Sequence, residues 1–338
     1  MPQPSVSIII ATLNAGKVLE SCLKSITSQV YPPKKLEIII ADGGSTDQTL
    51  DLAQKYHAKI VNNPLKTAES GKAAGLKFSH GDIIALIDSD NILPDPHWLQ
   101  MMTEPFSDLS VVASEPLKYT YRRSDPWLTR YFALLGMNDP LCLFIGNYDR
   151  ISTLTGKWTS LNFKTQDQGN YLKVTLDHQP VPTIGANGFL IKKNFLLQTN
   201  IGDYLFDIDV LIKLIRQHGS INVAKVKTGI VHTFVEDSPA KFFRKQLRRI
   251  NDLSYHQTQQ NREINWEQSY FWKIIWFQIQ CLLVFPIFFQ TTKGLLQVPD
   301  IAWLFHPIAC YSTWFIYLFG WIKGKINPQE SNRINWKQ

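Results

Sequence analysis

Short apolar runs alternate with segments of helical periodicity along the first third of this 338-residue chain. The first run, residues 6–11, is β-branched, and apolar residues at helical spacing follow it between residues 19 and 26. Two further pairs follow, with strands predicted at 36–41 and 59–62 and helices at 50–56 and 70–78. Alternating strands and helices with short connections predict an α/β domain built on a parallel, doubly wound sheet.

The next apolar run, residues 83–87, ends in two carboxylates, Asp88 and Asp90. Side chains alternate along an extended chain, so both carboxylates point the same way at the carboxyl end of a buried strand. Open α/β sheets bind their ligands at that edge. The pair suits Mg²⁺ or Mn²⁺, which also keep positions for water and substrate phosphates. The sequence therefore predicts a metal site with a phosphate-bearing ligand, and the alternative is a solvated turn.

Composition and charge narrow the class of protein. With 44% hydrophobic and 19% charged residues, the chain is long enough for one large globular domain and an appendage. The net charge of +7 comes from basic residues that cluster late, among aromatic and apolar segments, which favours membrane lipids and not nucleic acid as the partner. Four cysteines without metal-ligand spacing indicate a reducing compartment. No signal peptide is recognised at the N-terminus, so the first domain is expected in the cytoplasm.

Four strings occur in order: SIIIATLNAGKVLESCLKSI, IIIADGGSTDQT, GKAAGLKFSHGDIIALIDSDN and IGANGFLIKKNFL. Together they resemble the family 2 glycosyltransferases, which are inverting sugar transferases of GT-A fold. The resemblance implies a GT-A type, mostly parallel sheet flanked by helices. It also implies a nucleoside-diphosphate sugar as donor and Mg²⁺ or Mn²⁺ as cofactor. The first strand is not followed by GxGxxG, which disfavours a dinucleotide-binding dehydrogenase.

The resemblance assigns three residues to the nucleoside of the activated sugar. Thr12 and Asn14 lie in the turn after the first strand, and Asp42 follows the second strand. For Asp42 the residues also allow another role, because an Asp before Gly43 and Gly44 commonly caps or shapes a turn.

The resemblance assigns three more residues to the metal and the diphosphate. Asp90 is implied to bind the metal itself, and Asp88 to bind the ribose or a metal-bound water. Lys72 stands at a position where family members often carry Arg or Lys near the diphosphate. The alternative for Lys72 is a solvated lysine on the surface of a helix.

An acidic segment at residues 207–209 precedes a helical pattern that Gly219 ends. The resemblance implies that the catalytic base lies here, and the apolar positions that follow place Asp207 on the base and Asp209 on a secondary acidic position. Either Asp can instead cap the helix and complement its dipole.

The string QLRRI resembles the QxxRW signature of processive synthases in the same family, through Gln246 and Arg249. The resemblance implies contacts with the acceptor or with phosphate, but Ile250 replaces the Trp that stacks on sugar, which argues against a processive polymerase. The alternative is a basic amphipathic helix on anionic lipid. His232 is interpreted as a structural histidine.

Two apolar segments, Tyr270–Phe289 and Ala302–Ile322, dominate the C-terminal part of the chain, and each is long enough to span a bilayer. Trp and Tyr edge both segments, as at membrane interfaces. Basic residues flank the pair at 244–249 and at Lys323, Lys325, Arg333 and Lys337. This pattern predicts a membrane hairpin with both ends in the cytoplasm. Two helices lying in the interface are the alternative, and a soluble core pair is a third.

The sequence thus predicts a glycosyltransferase domain over residues 1–262 and a membrane-associated helical segment over 263–338. The predicted activity moves a sugar from a nucleoside-diphosphate sugar to an acceptor hydroxyl, on a lipid-linked acceptor or in cell-surface glycan synthesis. Two alternatives stay open: a nucleotidyltransferase of related fold, and a non-catalytic membrane scaffold that kept the fold.

Overall fold

The computed structural model describes residues 3–185, 187–235, 238–259, 262–263 and 266–326. Within them the chain folds as two compact units. The first holds the described residues up to Thr120 and Asn162–His232, and the second holds Tyr121–Leu161 and the described residues from Thr233 onward. This division differs from the predicted boundary at residue 262, because two segments before that boundary pack with the C-terminal helices in the second unit.

Ten strands in the described part of the chain form one sheet in the first unit. They are β1 (Val6–Thr12), β2 (Leu36–Asp42), β3 (Lys59–Asn62), β4 (Ile83–Leu86), β5 (Asn91–Ile92), β6 (Val111–Tyr119), β7 (Lys164–Asp167), β8 (Tyr171–Leu176), β9 (Phe189–Lys192) and β10 (Ile221–His232). The order across the sheet is β3-β2-β1-β4-β9-β6-β10-β8-β7, and β5 pairs with the end of β10.

Helices of both units follow in chain order. They are α1 (Gly16–Thr27), α2 (Thr49–Lys55), α3 (Ala68–Lys77), α4 (Trp98–Thr103), α5 (Trp127–Leu135), α6 (Leu141–Ile145), α7 (Lys193–Gln198), α8 (Asp207–His218), α9 (Pro239–Thr258), α10 (Trp266–Leu283), α11 (Phe285–Gln297) and α12 (Phe305–Ile326). Short 3₁₀ segments lie at Pro33–Lys35, Glu104–Ser107 and Ile301–Leu304.

The predicted α/β class is confirmed, but the sheet is mixed and not mostly parallel. β3, β2, β1 and β4 are parallel, as the alternating pattern predicted. β9 then runs antiparallel to both β4 and β6, and β8 runs antiparallel to β10 and β7. The parallel prediction fails here because β9 is a short buried strand, and an apolar run shows that a strand is buried without showing its direction.

Helix α3 is held closely against the sheet. It begins with a capping box in which Thr67 and Ser70 exchange hydrogen bonds. Gly75 allows the close approach to β1, because a Cβ there would lie 2.4 Å from Cγ2 of Ile9. These contacts fix the position of Lys72, which is buried on the same helix.

The second unit has its own aromatic core. Side chains from α5, from α9, from the 3₁₀ segment Ile301–Leu304 and from the start of α12 pack together, and they include Tyr131, Phe132, Phe242, Trp303 and Phe305. Tyr131 and Phe305 meet edge to face, with ring centroids 5.4 Å apart. Helix α9 and the C-terminal helices therefore share one core, which the composition of the chain did not predict.

The first predicted membrane segment, Tyr270–Phe289, is not one straight helix. α10 and α11 meet at an angle of 87°, and Val284 between them has a φ of 61°. Pro286 explains the break, because it lacks an N–H and its ring clashes with the preceding turn of a helix. Residues 301–324 are long and apolar enough to cross a membrane as a helix. Within their most apolar stretch of 18 residues, 44% is buried.

Within the part of the chain that the structure describes, that helix is therefore the one candidate span, or one of two if the bent pair counts as a broken span. Buried core helices of soluble proteins have the same length and composition, so the predicted hairpin is not confirmed. Of the basic residues predicted to flank the segments, Arg333 and Lys337 lie outside the described residues.

Candidate active site

The two aspartates after β4 lie in a closed turn. The Oδ1 atom of Asn91 accepts a hydrogen bond from the backbone N–H of Asp88 at 3.0 Å, and the N–H of Asn91 donates to the carbonyl of Asp88 at 3.0 Å. Asn91 is buried, and its Nδ2 atom donates to Oδ1 of Asn187 at 3.0 Å. The turn holds Asp88 and Asp90 at the carboxyl end of β4, as the sequence predicted.

A buried histidine lies beside the second aspartate. The Nε2 atom of His232 is 3.3 Å from Oδ1 of Asp90, and the histidine side chain is 6% exposed. The pairing of β5 with β10 sets His232 opposite Asn91, and the ring of Tyr119 packs against the imidazole at 5.6 Å. His232 was interpreted from the sequence as a structural histidine, since no short-range pattern predicts the pairing of a two-residue strand with β10.

Asp90 and His232 provide oxygen and nitrogen ligands that fit a divalent metal such as Mn²⁺. Among the described residues there is no group of three His, Cys, Asp or Glu side chains close enough to hold a metal ion. An ion bound by two such side chains keeps positions for water and for phosphate oxygens. The side chains of Asp90 and His232 therefore fit the predicted Mg²⁺ or Mn²⁺, with room for the phosphate oxygens of a substrate to bind the same ion.

The electrostatics of Asp88 suit a site that receives positive charge. Burial raises the pKa of the Asp88 carboxyl, Lys72 opposes this rise, and the neighbouring charge of Asp90 adds to it. A cation that enters beside this pair relieves the repulsion between the two carboxylates.

Lys72 and Asp207 form a buried ion pair. The Nζ atom of Lys72 lies 2.6 Å from Oδ2 of Asp207, and the two side chains are 7% and 12% exposed. Burial alone would lower the pKa of Lys72, but the carboxylates of Asp207 and Asp88 outweigh it and raise that pKa. The alternative of a solvated lysine on the helix surface is therefore wrong for Lys72. Its ammonium is attracted both by the predicted base, Asp207, and by Asp88 of the predicted metal site.

Local packing places Asp207 at the first position of α8. The N–H of Leu205 donates to the carbonyl of Glu69 at 3.0 Å, which ties the start of α8 to α3. Gly185 leaves room for the carboxylate, because a Cβ there would lie 3.0 Å from Oδ2 of Asp207. Asp209, two residues later, is buried in the helix. The predicted helix and its end at Gly219 are confirmed, and the role of Asp207 as base stays a prediction.

Both carboxylate oxygens of Asp42 accept hydrogen bonds at the turn after β2. Its Oδ1 accepts from the hydroxyls of Thr12 at 2.9 Å and Ser45 at 2.6 Å. Its Oδ2 accepts from the N–H groups of Gly44 at 2.8 Å and Ser45 at 2.7 Å. A carboxylate has about four acceptor positions, so Asp42 shapes the turn. Its contact with a nucleoside stays a prediction.

Asn14 joins the first and second turns. It has a φ of 51°, a conformation that Asn adopts more readily than most residues. Its N–H donates to Oγ of Ser45 at 2.8 Å, and its Oδ1 accepts from the N–H of Thr46 at 2.9 Å. The structure thus brings Thr12, Asn14 and Asp42 together at one edge of the sheet, as predicted.

A second buried ion pair supports the site from within the sheet. Glu115 on β6 and Lys225 on β10 are both fully buried and bonded to each other. The Oε1 atom of Glu115 also accepts from the N–H of Gly185 at 3.0 Å, and Gly185 borders Asp207. The sequence offered only a weak signal for this pair, because each strand carries two charged residues and no local pattern shows which of them meet.

Gln246 and Arg249 lie on α9 in the second unit, in a polar cluster. The Nε2 atom of Gln246 donates to Oγ1 of Thr313 at 2.8 Å. The guanidinium of Arg249 lies 3.2 Å from Oδ2 of Asp139 and also donates to Oε1 of Gln246. The cluster joins α9 to α12, and the predicted contact with acceptor or phosphate stays a prediction.

Comparison with known proteins finds a family model that matches nearly half of the chain. Residues 7–172 match the model of Glycosyl transferase family 2. The matched part includes both turns of the nucleoside prediction, Lys72 and the two aspartates after β4. Three of the four strings that carried the resemblance lie inside it, whereas IGANGFLIKKNFL and Asp207 lie after it.

Curated relatives match over shorter stretches. Glycosyltransferase AglE of Haloferax volcanii is 27% identical over 141 residues, which are 40% of this chain and 46% of AglE. The UDP-Glc:alpha-D-GlcNAc-diphosphoundecaprenol beta-1,3-glucosyltransferase WfaP of Escherichia coli is 32% identical over 136 residues, 39% of this chain and 50% of WfaP. This chain therefore spans half the length, or slightly less, of these two relatives.

A third relative is named for a dolichyl phosphate substrate. It is the dolichyl N-acetyl-alpha-D-glucosaminyl phosphate 3-beta-D-2,3-diacetamido-2,3-dideoxy-beta-D-glucuronosyltransferase of Methanococcus voltae, which is 33% identical over 108 residues. The match covers 30% of this chain and 33% of the relative.

Among solved structures, the mannosyltransferase PcManGT from Pyrobaculum calidifontis, in complex with GDP-Man and Mn²⁺, has a TM-score of 0.56. It is 14% identical, and the match covers 97% of this chain and 89% of PcManGT. At this identity the similarity shows the fold alone. The mixed sheet flanked by helices is thus a GT-A-like α/β fold.

Proposed function

We propose that this chain, whose residues 7–172 match the model of Glycosyl transferase family 2, is a membrane-associated, metal-dependent inverting glycosyltransferase. Its donor is a nucleoside-diphosphate sugar. Its acceptor is a hydroxyl of a lipid-linked molecule or of a cell-surface glycan, reached from the cytoplasmic face of the membrane.

The observation that carries this proposal is the set of side chains gathered at one edge of the sheet. Asp90 and His232 offer a metal site, and Lys72 offers a buried positive charge in the field of Asp88. Asp207 offers a carboxylate bonded to that same lysine. Sugar transfer needs these three kinds of group: a place for metal and diphosphate, a positive charge for the leaving group, and a base for the acceptor.

In the proposed reaction the acceptor oxygen attacks the anomeric carbon of the sugar. A new C–O bond forms as the C–O bond to the diphosphate breaks, so the nucleoside diphosphate leaves and the configuration inverts. Asp207 takes the proton of the acceptor hydroxyl. Asp88 orients the ribose or a metal-bound water, and the turns at Thr12, Asn14 and Asp42 hold the nucleoside.

Asp90 and His232 would hold the metal, which would supply positive charge to the phosphate oxygens that gain negative charge as the bond between sugar and diphosphate breaks. Support for a divalent ion is the donor set of this site, together with PcManGT, a protein of the same fold in complex with Mn²⁺. Asp90→Asn removes the charged ligand and is expected to abolish metal-dependent donor binding.

The proposed membrane contact rests on the surface of the second unit. Large apolar side chains on its C-terminal helices face outward, among them Trp272 (78% exposed), Phe285 (75%) and Leu296 (79%). α9 adds basic residues, including exposed Arg244. Apolar and basic groups together favour a bilayer with anionic lipids as the occupant of this surface. The bend between α10 and α11 favours helices that lie in the interface, whereas α12 retains the length to span.

Flotation with phosphatidylglycerol-containing vesicles tests the membrane contact on the full chain. The triple variant Trp272→Ser, Phe285→Ser and Leu296→Ser is expected to bind at least about tenfold more weakly, because each large apolar side chain contributes roughly 1.5–3 kcal/mol when fully buried. Leu109→Ser is the matched control, since Leu109 is 86% exposed in the first unit. Equal flotation of the triple variant and the wild type would remove these helices from membrane binding.

A thermal-shift panel of nucleotide sugars, with and without Mn²⁺, tests the enzymatic proposal and identifies the donor. At least one nucleotide sugar is expected to raise the melting temperature in the presence of Mn²⁺ and not in the presence of chelator. Stabilisation by nucleoside triphosphates alone would favour a nucleotidyltransferase, and stabilisation by no nucleotide would favour a non-catalytic scaffold.

A further inference from the structure

The ion pair between Lys72 and Asp207 poses a difficulty for the proposed chemistry. Asp207 must accept a proton, yet its Oδ2 atom is bonded to a buried ammonium at 2.6 Å. A carboxylate bonded to an ammonium is a weaker base than a carboxylate released from it, because the positive charge stabilises its ionised form. While Asp207 is bonded to Lys72, it is therefore poorly suited to take a proton from an acceptor hydroxyl.

A second carboxylate, that of Asp88, also attracts the ammonium of Lys72. The carboxylate of Asp88 acts on its ammonium, next after that of Asp207 among the attractions that raise the pKa of Lys72. Asp88 lies in the turn that is proposed to receive the metal and the diphosphate. A diphosphate bound there brings several negatively charged oxygens towards an ammonium that has three N–H donors on a flexible stem.

We propose that Lys72 is a positioning residue that exchanges partners during the cycle: it holds Asp207 in the donor-free enzyme, and it turns to the diphosphate oxygens when the donor binds. This inference rests on the proposed function. The exchange releases Asp207 as a base only when a sugar donor is in place, so the enzyme binds its donor before it activates the acceptor. When the nucleoside diphosphate leaves, Lys72 returns to Asp207 as the proton passes to solvent.

The exchange predicts an effect on binding that needs no turnover. If Lys72 must leave Asp207 to reach the diphosphate, then Asp207→Asn weakens the competing bond and strengthens diphosphate binding. We expect Asp207→Asn to bind a nucleoside diphosphate about tenfold more tightly, the lower end of what a hydrogen bond to a charged group contributes.

A double-mutant cycle separates this exchange from simple charge removal, which also favours an anion. The probes are UDP and GDP, each titrated by calorimetry in the presence of Mn²⁺ into wild type, Asp207→Asn, Lys72→Met and the double variant. If Asp207→Asn acts only by removing the repulsion between its carboxylate and the diphosphate, the gain in affinity persists when Lys72 is replaced by Met. If it acts through the exchange of partners, the gain requires the ammonium of Lys72. The tenfold gain from Asp207→Asn is therefore expected to vanish in the Lys72→Met background.

Lys77→Met is the matched control, because Lys77 lies on the same helix with its side chain 64% exposed, and this variant is expected to bind as the wild type does. Lys72→Gln replaces Lys72→Met if the latter does not fold, as judged by its melting curve. A gain that persists in the Lys72→Met background, or no gain from Asp207→Asn, overturns the exchange while leaving the proposed function intact. Wild-type protein that binds neither diphosphate with Mn²⁺ overturns both.

Discussion

The substitution Asp207→Asn tests the base most sharply, because it keeps the shape of the side chain and removes its charge. Loss of a general base slows a reaction by about 10²- to 10⁴-fold, which is roughly 2.7–5.5 kcal/mol in the barrier. We expect transfer at saturating donor to fall by that factor, even though the nucleoside diphosphate binds more tightly.

The same substitution has a cost in stability that follows from the structure. Removing one partner of a buried ion pair costs about 3–5 kcal/mol when the other charge is left alone. Lys72 keeps the attraction of Asp88, and the new amide oxygen still accepts a hydrogen bond, so we expect a loss of only about 1–2 kcal/mol. That loss lowers the melting temperature by roughly 2–8 °C for a unit of this size.

Asp209→Asn is the matched control, since it makes the same chemical change two residues away. Residues two apart on a helix point about 200° away from each other, so both carboxylates do not serve one acceptor hydroxyl. We expect Asp209→Asn to cost about 1 kcal/mol in stability with transfer nearly intact. The assay measures transfer rate, melting temperature and diphosphate affinity for both variants. The reverse pattern would move the base to Asp209, and normal transfer by both would remove the start of α8 from the mechanism.

Three further predictions concern the scaffold of the first unit. Glu115→Gln is expected to destabilise the protein by about 3–5 kcal/mol in denaturant unfolding, because Lys225 then stays buried after it loses the carboxylate that it pairs with. The double variant Glu115→Met and Lys225→Met should recover much of that loss, and an equal loss in the single and the double variant would contradict the reasoning. Gly75→Ala is expected to cost about 1–3 kcal/mol, since the added methyl overlaps β1, and an unchanged melting temperature would show that α3 does not pack as described. Hydrogen bonds from Lys173 and from Ser110 lower the pKa of Asp108 from 3.8 to about 2. A carboxyl with a lowered pKa stabilises the fold above its unfolded pKa, and this stabilisation is lost as the pH falls through its folded pKa, so Asp108→Asn should cost about 0.5–1 kcal/mol at pH 7 and progressively less as the pH falls from about 4 through 2; a loss independent of pH would refute the ion pair.

Much of the structure of the first unit could be predicted from local sequence patterns. The first four strands, which are parallel, and the position of Asp88 shortly after β4 were predictable because apolar runs, turn residues and helical spacing are short-range signals. The helix that begins at Asp207 and ends at Gly219 was predictable for the same reason. The alternation of side chains along a strand predicted that Asp88 and Asp90 lie on one side, whereas the structure sets both in the turn after β4 that Asn91 closes.

The remaining features depend on contacts that no local pattern contains. His232 reaches Asp90 through the pairing of β5 with β10, and Lys72 reaches Asp207 across 135 positions of the chain. The C-terminal segments were predicted to form a hairpin because hydropathy shows only the length and the composition of an apolar segment and not the path of its helix. The effect of Pro286 on the helix path, and the core that α9 shares with the C-terminal helices, arise from steric and tertiary contacts.

Release of nucleoside diphosphate from a nucleotide sugar is the measurement that tests the central claim most directly. The full chain is incubated with the nucleotide sugar that stabilises it, with Mn²⁺ or with chelator, beside Asp90→Asn. We predict that the wild type releases nucleoside diphosphate with Mn²⁺, and that chelator or Asp90→Asn slows release by at least about 10²-fold, since loss of a charged group at the leaving group costs several kcal/mol. Equal release with chelator, or by Asp90→Asn, would contradict the metal-dependent transfer proposed for this site.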